Sequence, residues 1–484
     1  MNKHTIVILI ASLSLIACST DEPGGDAALD EDVAVQSDAS SPEDVEAPDD
    51  TSADDIVQTP LDVSPAPDAD VLDAANDVAD VADEPDVVVV PPYDLSEGTW
   101  HRENVSQSEN TFSGSQQLAF LSDGTAWVAW SRRNPDSQAP SDDDIWVAKR
   151  TGTSWAIEPH TVAAAAQMTY PSLSVVDDVV HLALSGYPFG NQTVYYSKNE
   201  GAGFSANVDL TTVLAQGVPR RDFHPVINAA PSGGFAVAYQ SQSLTGADVR
   251  GPSQIHVLRF TDASAPQGPE LAIDWASPGC LNHDAVFDAN GHLHIVASCG
   301  NALAPTLVYA TDASGSWQQS QPAPGTGRYA AAPSLALDPD GTTLHVAWAG
   351  SPLCSPDTTQ SCGEIYYQRV ENGAFSRSVS VSNTDTEREH VPAIGVDANG
   401  LIIVAFHRFN ENNIPGIFVT WTDGTKPFSD ARNISPDTAD LRDQSPASIR
   451  FHPESGHPHL LYRTTFPGTQ PLRTEVFHAY WAPQ

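Results

Sequence analysis

Residues 333–348 decide the fold of this chain, and they read Pro-Ser-Leu-Ala-Leu-Asp-Pro-Asp-Gly-Thr-Thr-Leu-His-Val-Ala-Trp. Two short apolar stretches flank the pair Asp340-Gly341. An Asx-Gly pair supplies the positive φ angles of a tight hairpin turn, and alternating apolar residues on either side favour strands. The stretch therefore predicts two antiparallel β-strands joined by a short turn.

The same pattern recurs through residues 96–484 with a period of about 55 residues. The first strand of each repeat includes, in order, Gln116, Pro171, Pro225, Asp284, Pro333, Pro392 and Pro446, with spacings of 55, 54, 59, 49, 59 and 54 residues. A fourth strand opens at an aromatic residue in five repeats: Trp155, Phe204, Trp317, Phe375 and Phe428. Four strands per repeat without helical periodicity predict a propeller blade, and seven repeats predict a closed ring.

The last repeat points to how the ring closes. It stops at Trp481, after its third strand, while an unmatched stretch, Gly98-Thr-Trp100, lies upstream of the first repeat. That stretch has the same Gly-x-aromatic register as Gly373-Ala-Phe375. We expect the strand at Gly98 to complete the last blade, which would leave no free sheet edge. The predicted fold is all-β: a seven-bladed β-propeller of four-stranded blades over residues 93–484.

Several of these elements resemble the sialidase-like (BNR or Asp-box-like) repeats of bacterial propellers. The segment Ser197–Phe204 is similar to an Asp-box with Asn199 in place of aspartate, and Tyr309–Trp317 is a looser version. Sialidases use three arginines on the substrate carboxylate, a tyrosine–glutamate nucleophile pair and an aspartate acid/base. Their Phe/Tyr-Arg-Ile-Pro signature is missing here; the nearest forms are Phe223-His-Pro225 and His390-Val-Pro392. The resemblance therefore implies the scaffold, and an exo-sialidase-like glycoside hydrolase is kept as the alternative function.

Residues 1–17 have the pattern of a lipoprotein signal peptide. Lys3 and His4 precede an apolar run of about a dozen residues, too short for a stable membrane-spanning helix. The run ends in Leu15-Ile-Ala-Cys18, which resembles the bacterial lipobox. This pattern predicts lipidation of Cys18 and anchoring in the cell envelope, at the outer membrane or cell surface. An ordinary secretory peptide with a chance cysteine is the simpler alternative.

Residues 18–92 predict a disordered acidic linker. The formal net charge of the chain is −40, and 23 of its 62 acidic residues lie between Asp21 and Tyr93, where there is no Lys or Arg. The valines of this stretch are too sparse to bury a core, so ordering entropy prevails. We interpret it as a spacer, with a neutrally drifting linker as the alternative. The acidic composition excludes a basic nucleic-acid-binding protein, and no internal apolar run reaches membrane-spanning length.

Polar residues concentrate on one predicted face, where loops enter the first strands and join the second and third strands. The predicted ligand-binding residues are Arg220, Arg221, His224, His283, Arg388, His390, His407, Arg408, Arg442 and Arg463, and Arg132 and Arg133 join the same face. The carboxylate candidates for an enzyme are Asp222, Asp284, Glu389 and Asp443. Such a rim would suit a glycan, peptide or protein ligand bound without catalysis. The alternative is that these groups crowd loop ends and pair with one another.

Cysteines and histidines predict structural roles rather than a metal site. Export favours disulfides, and the most local pairings join Cys280 to Cys299 and Cys354 to Cys362. Histidine recurs in the second-strand position of four repeats, at His181, His294, His345 and His459, which favours packing between sheets. No HExxH, GxSxG or phosphate-loop motif is present, so we expect no cofactor and no metal.

Overall fold

The computed structural model describes sixteen segments of the chain, all within the compact unit Ala82–Gln484. They are residues 93–107, 113–133, 143–162, 167–187, 192–211, 220–245, 249–261, 266–275, 279–301, 304–322, 330–350, 363–382, 388–409, 415–435, 443–466 and 473–484. All secondary structure in these segments is β-strand. They contain no helix that is long and apolar enough to cross a membrane.

The described strands form seven antiparallel sheets, which confirms the predicted seven-bladed propeller. The first strand of the chain is β1 (Gly98–Asn104). Blade 1 consists of β2 (Ser113–Phe120), β3 (Ala126–Arg133), β4 (Asp143–Thr151) and β5 (Ser154–His160). Blade 2 consists of β6 (Met168–Val176), β7 (Val179–Gly186), β8 (Thr193–Asn199) and β9 (Val208–Asp209). Blade 3 consists of β10 (Arg220–Ala229), β11 (Phe235–Thr245), β12 (Val249–Phe260) and β13 (Pro266–Ile273).

The remaining blades follow the same order. Blade 4 consists of β14 (Cys280–Phe287), β15 (Leu293–Asn301), β16 (Ala304–Thr311) and β17 (Gln318–Ser320). Blade 5 consists of β18 (Ala330–Leu337), β19 (Leu344–Gly350) and β20 (Glu364–Glu371), with β21 (Ala374–Phe375) and β22 (Val379–Ser380) sharing the fourth position. Blade 6 consists of β23 (Arg388–Val396), β24 (Ile402–Phe409), β25 (Pro415–Thr422) and β26 (Arg432–Asn433). Blade 7 consists of β27 (Asp443–Phe451), β28 (Pro458–Phe466), β29 (Arg473–Pro483) and β1.

The predicted closure of the ring by the strand at Gly98 is confirmed. β1 pairs antiparallel with β29 over seven residues, from Gly98 opposite Pro483 to Asn104 opposite Phe477. A Cβ atom on Gly98 would lie 2.0 Å from the Trp481 ring, so this position leaves no room for a side chain. Glu103 ties β1 to blade 1, since its carboxylate accepts hydrogen bonds from Arg150 at 2.6 Å and the Trp155 indole at 3.1 Å.

The aromatic residues that open the fourth strands pack against the preceding blade. The Phe204 ring lies 5.0 Å from the His160 ring of blade 1, and the Phe428 ring lies 5.2 Å from Tyr367 of blade 5. Both aromatics lie outside the fourth strands that were predicted to start there, because β9 begins at Val208 and β26 at Arg432. Phe204 forms only an isolated bridge with Asn199. In these two blades the aromatic side chain packs neighbouring blades together and the paired strand begins later, whereas Trp155 and Phe375 lie within β5 and β21.

The innermost strands share a bulge just before a proline. Tyr170, His224, Ala332 and Val391 each precede a proline and have φ values of 53°, 51°, 47° and 48°. Strand register shifts at all four positions. Proline cannot donate to the ladder, and a bulge releases the strand from regular pairing at that point. The repeat thus builds an irregular position into the wall of the central channel.

The four recurring histidines are packing residues, as predicted. His181, His294 and His345 each share a hydrogen bond, through Nδ1, with a third-strand tyrosine hydroxyl, at 2.8, 2.6 and 2.7 Å. In blade 7 the partner of His459 is His478, at 2.7 Å. The predicted Cys280–Cys299 disulfide is present within blade 4 and links β14 to β15. Cys354 and Cys362 lie outside the described residues.

Candidate functional site at the mouth of the channel

One face of the propeller carries most of the predicted rim. On this face the first strand of each blade begins and the second strand ends, as in the pairs Arg220 with Ser243 and Arg388 with Phe409. Bonds between blades hold this end in register, because the Asp222 amide donates to the Gln192 carbonyl at 2.9 Å and the Glu389 amide to the Gly363 carbonyl at 3.1 Å. We call this face the mouth.

The Tyr170 hydroxyl lies within electrostatic reach of charged groups from three other blades. Burial raises the pKa of its hydroxyl to about 12, and Tyr187 and Asp143 add to that rise. The charges of Arg221 and Arg463 oppose it, so both guanidinium groups lie close enough to favour the ionised hydroxyl. Asp143, Tyr170, Arg221 and Arg463 come from blades 1, 2, 3 and 7 respectively. The mouth therefore gathers two cations and one carboxylate around a single phenol.

Neighbouring polar groups hold these side chains in place. Arg221 donates to the Gln192 side-chain oxygen at 3.2 Å, and its guanidinium lies 5.9 Å from the centre of the Tyr187 ring. The Gln167 amide donates to Asp143 at 3.3 Å, and Arg133 lies 4.0 Å from the same carboxylate. Arg221 is thus held by a neutral amide and an aromatic ring, whereas Arg133 lies near an acid.

His224 and His283 supply hydrogen-bonding atoms rather than charge. The His224 ring lies 3.6 Å from the Tyr170 ring, and the His224 backbone amide donates to Ser185 Oγ at 3.1 Å. Burial, aided by the charge of His283, lowers the pKa of His224 to about 3. Burial lowers the pKa of His283 to about 4. These two of the four predicted ligand-binding histidines are therefore neutral at neutral pH.

Asp222 lies in blade 3, next to Arg220 and opposite Ser241. Only 5 % of Asp222 is exposed, and burial raises the pKa of its carboxyl, although the Ser241 hydroxyl and Arg220 work against that rise. Its Oδ1 atom is buried and finds no hydrogen-bond partner among the described residues. This carboxyl group can therefore accept a hydrogen bond from a bound water or ligand.

Glu389 and Arg408 form an internal ion pair in blade 6. The Arg408 Nε atom donates to Glu389 at 2.7 Å, and Glu389 has no exposed surface. Arg408 also donates to the Ser382 carbonyl at 3.2 Å, and its guanidinium lies 4.6 Å from the Phe418 ring. These two predicted site residues are thus tied to each other within blade 6.

Asp284 joins two blades from within the channel wall. Its carboxylate accepts hydrogen bonds from the amides of Ala285 at 2.9 Å and Leu335 at 2.8 Å. Ser172 does the same between blades 2 and 3, by accepting from the Ile227 amide at 3.0 Å. The strand register puts Asp284 opposite Val296. This position corresponds to Ser172 of blade 2, whereas the sequence pattern aligns Asp284 with Pro171. Asp284 therefore links the innermost strands of blades 4 and 5 through hydrogen bonds.

The remaining predicted residues are dispersed. His390 and His407 face each other across β23 and β24 with ring centres 6.3 Å apart. Arg388 and Asp443 begin β23 and β27, but their side chains lie outside the described residues, as do Arg442 and Cys18 as whole residues. The described segments contain no group of three or more His, Cys, Asp or Glu side chains able to hold a metal ion.

Sequence reasoning missed four residues of the mouth: Asp143, Tyr170, Tyr187 and Gln192. Tyr170 had a signal, because it precedes Pro171 just as His224 precedes Pro225. The other three lie at the starts of third strands or the ends of second strands, where nothing in the repeat distinguishes them from loop residues. Only the folded structure brings Asp143 and Tyr187 near Tyr170 and Gln192 to Arg221.

No protein-family model and no curated protein matches the chain in sequence. Among solved structures, it is similar to a protein of unknown function from Dyadobacter fermentans, at 14 % identity and a TM-score of 0.46, over 79 % of this chain and 98 % of that one. It is also similar to Trypanosoma rangeli sialidase, at 11 % identity and a TM-score of 0.46, over 76 % and 54 %. The Hadza microbial sialidase matches at 12 % identity and a TM-score of 0.41, over 61 % and 63 %. The structural neighbours thus include sialidase-like β-propellers, and the likeness concerns the fold.

Proposed function

We propose that this propeller binds an anionic ligand, a glycan, peptide or protein that carries a carboxylate, at the mouth and without catalysis. The observation that carries the proposal is that Arg221 lies at the mouth beside Gln192 and Tyr187, and that the charges of Arg221 and Arg463 both act on the buried Tyr170 hydroxyl. Two guanidinium groups and a phenol offer several directed donors to one carboxylate.

The carboxylates argue for binding rather than hydrolysis. Glycosidases that use two carboxyl groups need them on either side of one bond, about 5–10 Å apart. Here Asp222, Asp284 and Glu389 belong to blades 3, 4 and 6, and the last two are occupied by backbone amides and by Arg408. Among the described side chains, the candidate carboxylates Asp284 and Glu389 are thus engaged by the protein itself, which fits recognition.

A sialidase-like glycoside hydrolase is the second candidate, and one contact favours it. Asp143 approaches Tyr170 closely enough to raise its pKa, so a carboxylate and a phenol lie together beside two arginines. If the protein hydrolyses glycosides, fluorogenic substrates will be turned over and Tyr170→Phe will abolish the turnover. That result would contradict the non-catalytic proposal.

The lipid anchor remains part of the proposal. Cleavage before Cys18 and acylation of its thiol would hold the chain at the bacterial envelope, with the acidic stretch 19–92 as a spacer. Residues 1–92 lie outside the described residues, so the support is the lipobox-like sequence alone. Labelling with a fatty-acid analogue, with Cys18→Ser as the control, tests this part separately.

Binding is tested by screening the full chain against acidic and neutral glycans and peptides. For any ligand found, Arg221→Met and Arg463→Met should each weaken affinity by roughly 10- to 100-fold, the loss expected for a hydrogen-bonded charge pair. Arg369→Met is the matched control, because Arg369 is an exposed arginine paired with Glu371 away from the mouth. Equal losses in all three variants, or no ligand in the screen, would refute the proposal.

A further inference from the structure

One face of blade 7 borders a cavity that plays no part in the mouth. Its volume is about 440 Å³, and it is lined by Trp100 and Arg102 of β1, Tyr462, Thr464 and Phe466 of β28, and Phe477 of β29, among others. Phe477 lies opposite both Asn104 and Tyr462, so these six residues share one face of the sheet. That face is turned towards blade 6, because Tyr462 packs in one cluster with Ala393 and Ala405.

Arg463 of the mouth lies on the opposite face of the same sheet. It stands between Tyr462 and Thr464 in β28, and neighbouring residues of a strand point to opposite faces. Its cross-strand partner Val476 packs with blade 1, whereas Tyr462 and Phe477 pack with blade 6. The sheet of blade 7 therefore separates the cavity from the mouth arginine.

The inner strands of blades 6 and 7 pack closely, but blade 6 covers little of the outer part of this face. Its fourth strand, β26, is two residues long, whereas β1 of blade 7 is seven residues long. Among the described residues, all those that line the cavity belong to blade 7. The difference in strand length thus leaves the surface around Trp100 and Phe477 accessible, and both residues are half-buried.

Two polar atoms of the lining residues lack hydrogen-bond partners among the described residues. Thr464 is only 2 % exposed, and its Oγ1 atom is buried and unpaired. The Nε1 atom of Trp100 is likewise buried and unpaired. A hydroxyl can donate and accept, and an indole N–H can donate. Because buried polar groups nearly always have a partner, a molecule in the cavity that carries both donors and acceptors would complete them.

Arg102 adds a further donor at the edge of the cavity. Its side chain is exposed and acts on the Tyr462 hydroxyl: burial raises the pKa of Tyr462 to about 12, and the charge and hydrogen bond of Arg102 oppose that rise. Arg473 differs, since it is paired with Glu475 and lies 5.0 Å from the centre of the Phe466 ring.

Aromatic side chains form the rest of the wall. The Tyr462 and Phe477 rings stack with their centres 5.5 Å apart, and Phe466 is half-buried like Trp100. A pyranose ring matches such a wall, because its C–H bonds pack on aromatic rings while the hydroxyls at its edge meet polar groups. An alkyl chain would leave the Thr464 hydroxyl and the Trp100 N–H unpaired, which is unfavourable.

We propose that this cavity binds one neutral pyranose unit of a glycan, independently of the anionic ligand at the mouth. Trp100 and Phe477 contact the ring, and Thr464, the Trp100 N–H and Arg102 bond to its hydroxyls. The volume lies within the range of about 300–1,000 Å³ that is typical of small-molecule sites. The site requires none of the mouth residues, so it does not depend on the function proposed for the mouth.

Methyl glycosides of glucose, galactose, mannose and N-acetylglucosamine, all uncharged, are the probes. With the full chain, saturation-transfer NMR should show contact with the C–H protons of at least one of them, with a Kd on the order of 1 mM. Thr464→Val should weaken that binding by roughly 3- to 10-fold, the loss of one hydrogen bond. Its melting temperature should not fall, because the hydroxyl that is removed has no partner in the protein.

Trp100→Phe keeps an aromatic ring but removes the N–H, and it should cause a similar loss of affinity. Thr425→Val is the matched control, because Thr425 is an exposed threonine of blade 6 whose hydroxyl donates to Asp423 at 2.7 Å. It should bind the glycoside as the unmodified chain does. No binding of any of the four glycosides, or unchanged affinity in both Thr464→Val and Trp100→Phe, would overturn the proposal.

Two further measurements separate this site from the mouth and from effects on folding. The double variant Arg221→Met, Arg463→Met should bind the same glycoside with unchanged affinity, and a loss there alone would place the sugar at the mouth. Crystals of the unmodified protein soaked in the glycoside at tens of millimolar should show the pyranose against Trp100, Phe477 and Thr464. Density only elsewhere, or only at molar concentration, would refute the site.

Discussion

The two ends of the propeller use polar side chains in opposite ways. At the end away from the mouth, which we call the turn face, first and second strands are joined by the repeated Asx-Gly turns. There Asp288 and Asp397 accept backbone amides from their own turns: the His292 amide at 2.8 Å and the Leu401 amide at 2.7 Å. At the mouth, Asp143, Tyr170, Arg221 and Arg463 come from four blades and have neighbours far away in sequence.

The difference shows where function can reside in a repeat protein. A carboxylate bound by amides two to four residues away is part of the turn, and it recurs because each blade needs the same turn. A group whose neighbours belong to other blades has no such local requirement. Its position is therefore available for recognition, and changing it should leave the folding of its own blade intact.

The largest expected effect is a loss of stability in mild acid. We expect it to come from the buried histidines and not from the turn-face carboxylates. Burial lowers the pKa of His283 to about 4 and of His459 to about 2, and an unfolded histidine titrates near 6.5. The folded state keeps these rings neutral, so below about pH 6.5 the unfolded chain binds more protons. Each such histidine should lower the free energy of unfolding by about 1.4 kcal/mol per pH unit until its folded pKa is reached.

Carboxylates at the turn face should respond only in stronger acid. Burial acts to raise the pKa of Asp340, but hydrogen bonds from Thr343 and Thr342 lower that pKa to about 2. The contribution of Asp340 to the free energy of unfolding is therefore lost only as the pH falls below about 4. Denaturant unfolding at pH 7.5, 6.5, 5.5 and 4.5 measures both ranges, and His283→Gln should make the upper range less steep. A stability that stays constant between pH 7.5 and 5 would contradict this assignment.

The next largest effect is expected at Asp284, which lies between the two ends. Asp284→Ala removes the acceptor for the Leu335 amide inside the channel wall and should lower the free energy of unfolding by about 2 kcal/mol. Asp284→Asn keeps one carbonyl acceptor and should lose less. Binding at the mouth should be unchanged in both variants. If Asp284→Ala instead abolished activity or binding without loss of stability, the residue would belong to the functional site.

A smaller loss is expected at the turn face itself. Asp397→Ala removes an acceptor for the Leu401 and Asn399 amides and should cost about 1–2 kcal/mol in unfolding free energy, with no effect on any ligand. Glu371→Ala, an exposed acid of blade 5, is the control and should be close to neutral. Reduced ligand affinity in Asp397→Ala would show that the turn face also takes part in recognition.

The smallest effect on stability is expected at the mouth. Arg221→Met loses a single hydrogen bond to Gln192 and a distant contact with Tyr187, so unfolding should change by less than about 0.5 kcal/mol while binding is weakened. Thermal unfolding with and without ligand measures both quantities in one experiment. A large loss of stability in Arg221→Met would mean that the mouth, like the turn face, serves the fold.

Much of the fold could be predicted from sequence because each repeat contains its own signals. The Asx-Gly turns, the prolines of the innermost strands and the unmatched strand at Gly98 gave the blade count and the ring closure. The fourth strands were less predictable, because Phe204 and Phe428 pack against the preceding blade and the backbone pairs only further on. The sequence pattern aligns Asp284 with the prolines of other repeats, one position before its place in the strand register. The cause is that blade 4 lacks the proline that marks the bulge in other blades.

The candidate site could be predicted only in part. Arg221 and Arg463 were among the residues expected at the rim, but so were Arg408 and Glu389, which neutralise each other inside blade 6. The three arginines have the same charge, and all four residues lie near strand ends on the same predicted face, so the sequence does not distinguish them by position. What separates them is the partner that each side chain meets, and for Arg221 and Arg463 that partner is contributed by another blade.

By itself, the sequence determined the number of blades, the closing strand and the packing role of the second-strand histidines, and it favoured the local pairing of Cys280 with Cys299 that the structure contains. All of these rest on contacts within one repeat or between residues at fixed repeat positions. Only the tertiary structure decided that the charges of Arg221 and Arg463 act on Tyr170 at the mouth and that Glu389 and Arg408 pair within blade 6. The physical reason is that local periodicity fixes how each blade folds, whereas electrostatic surroundings arise from residues that only the closed ring brings together.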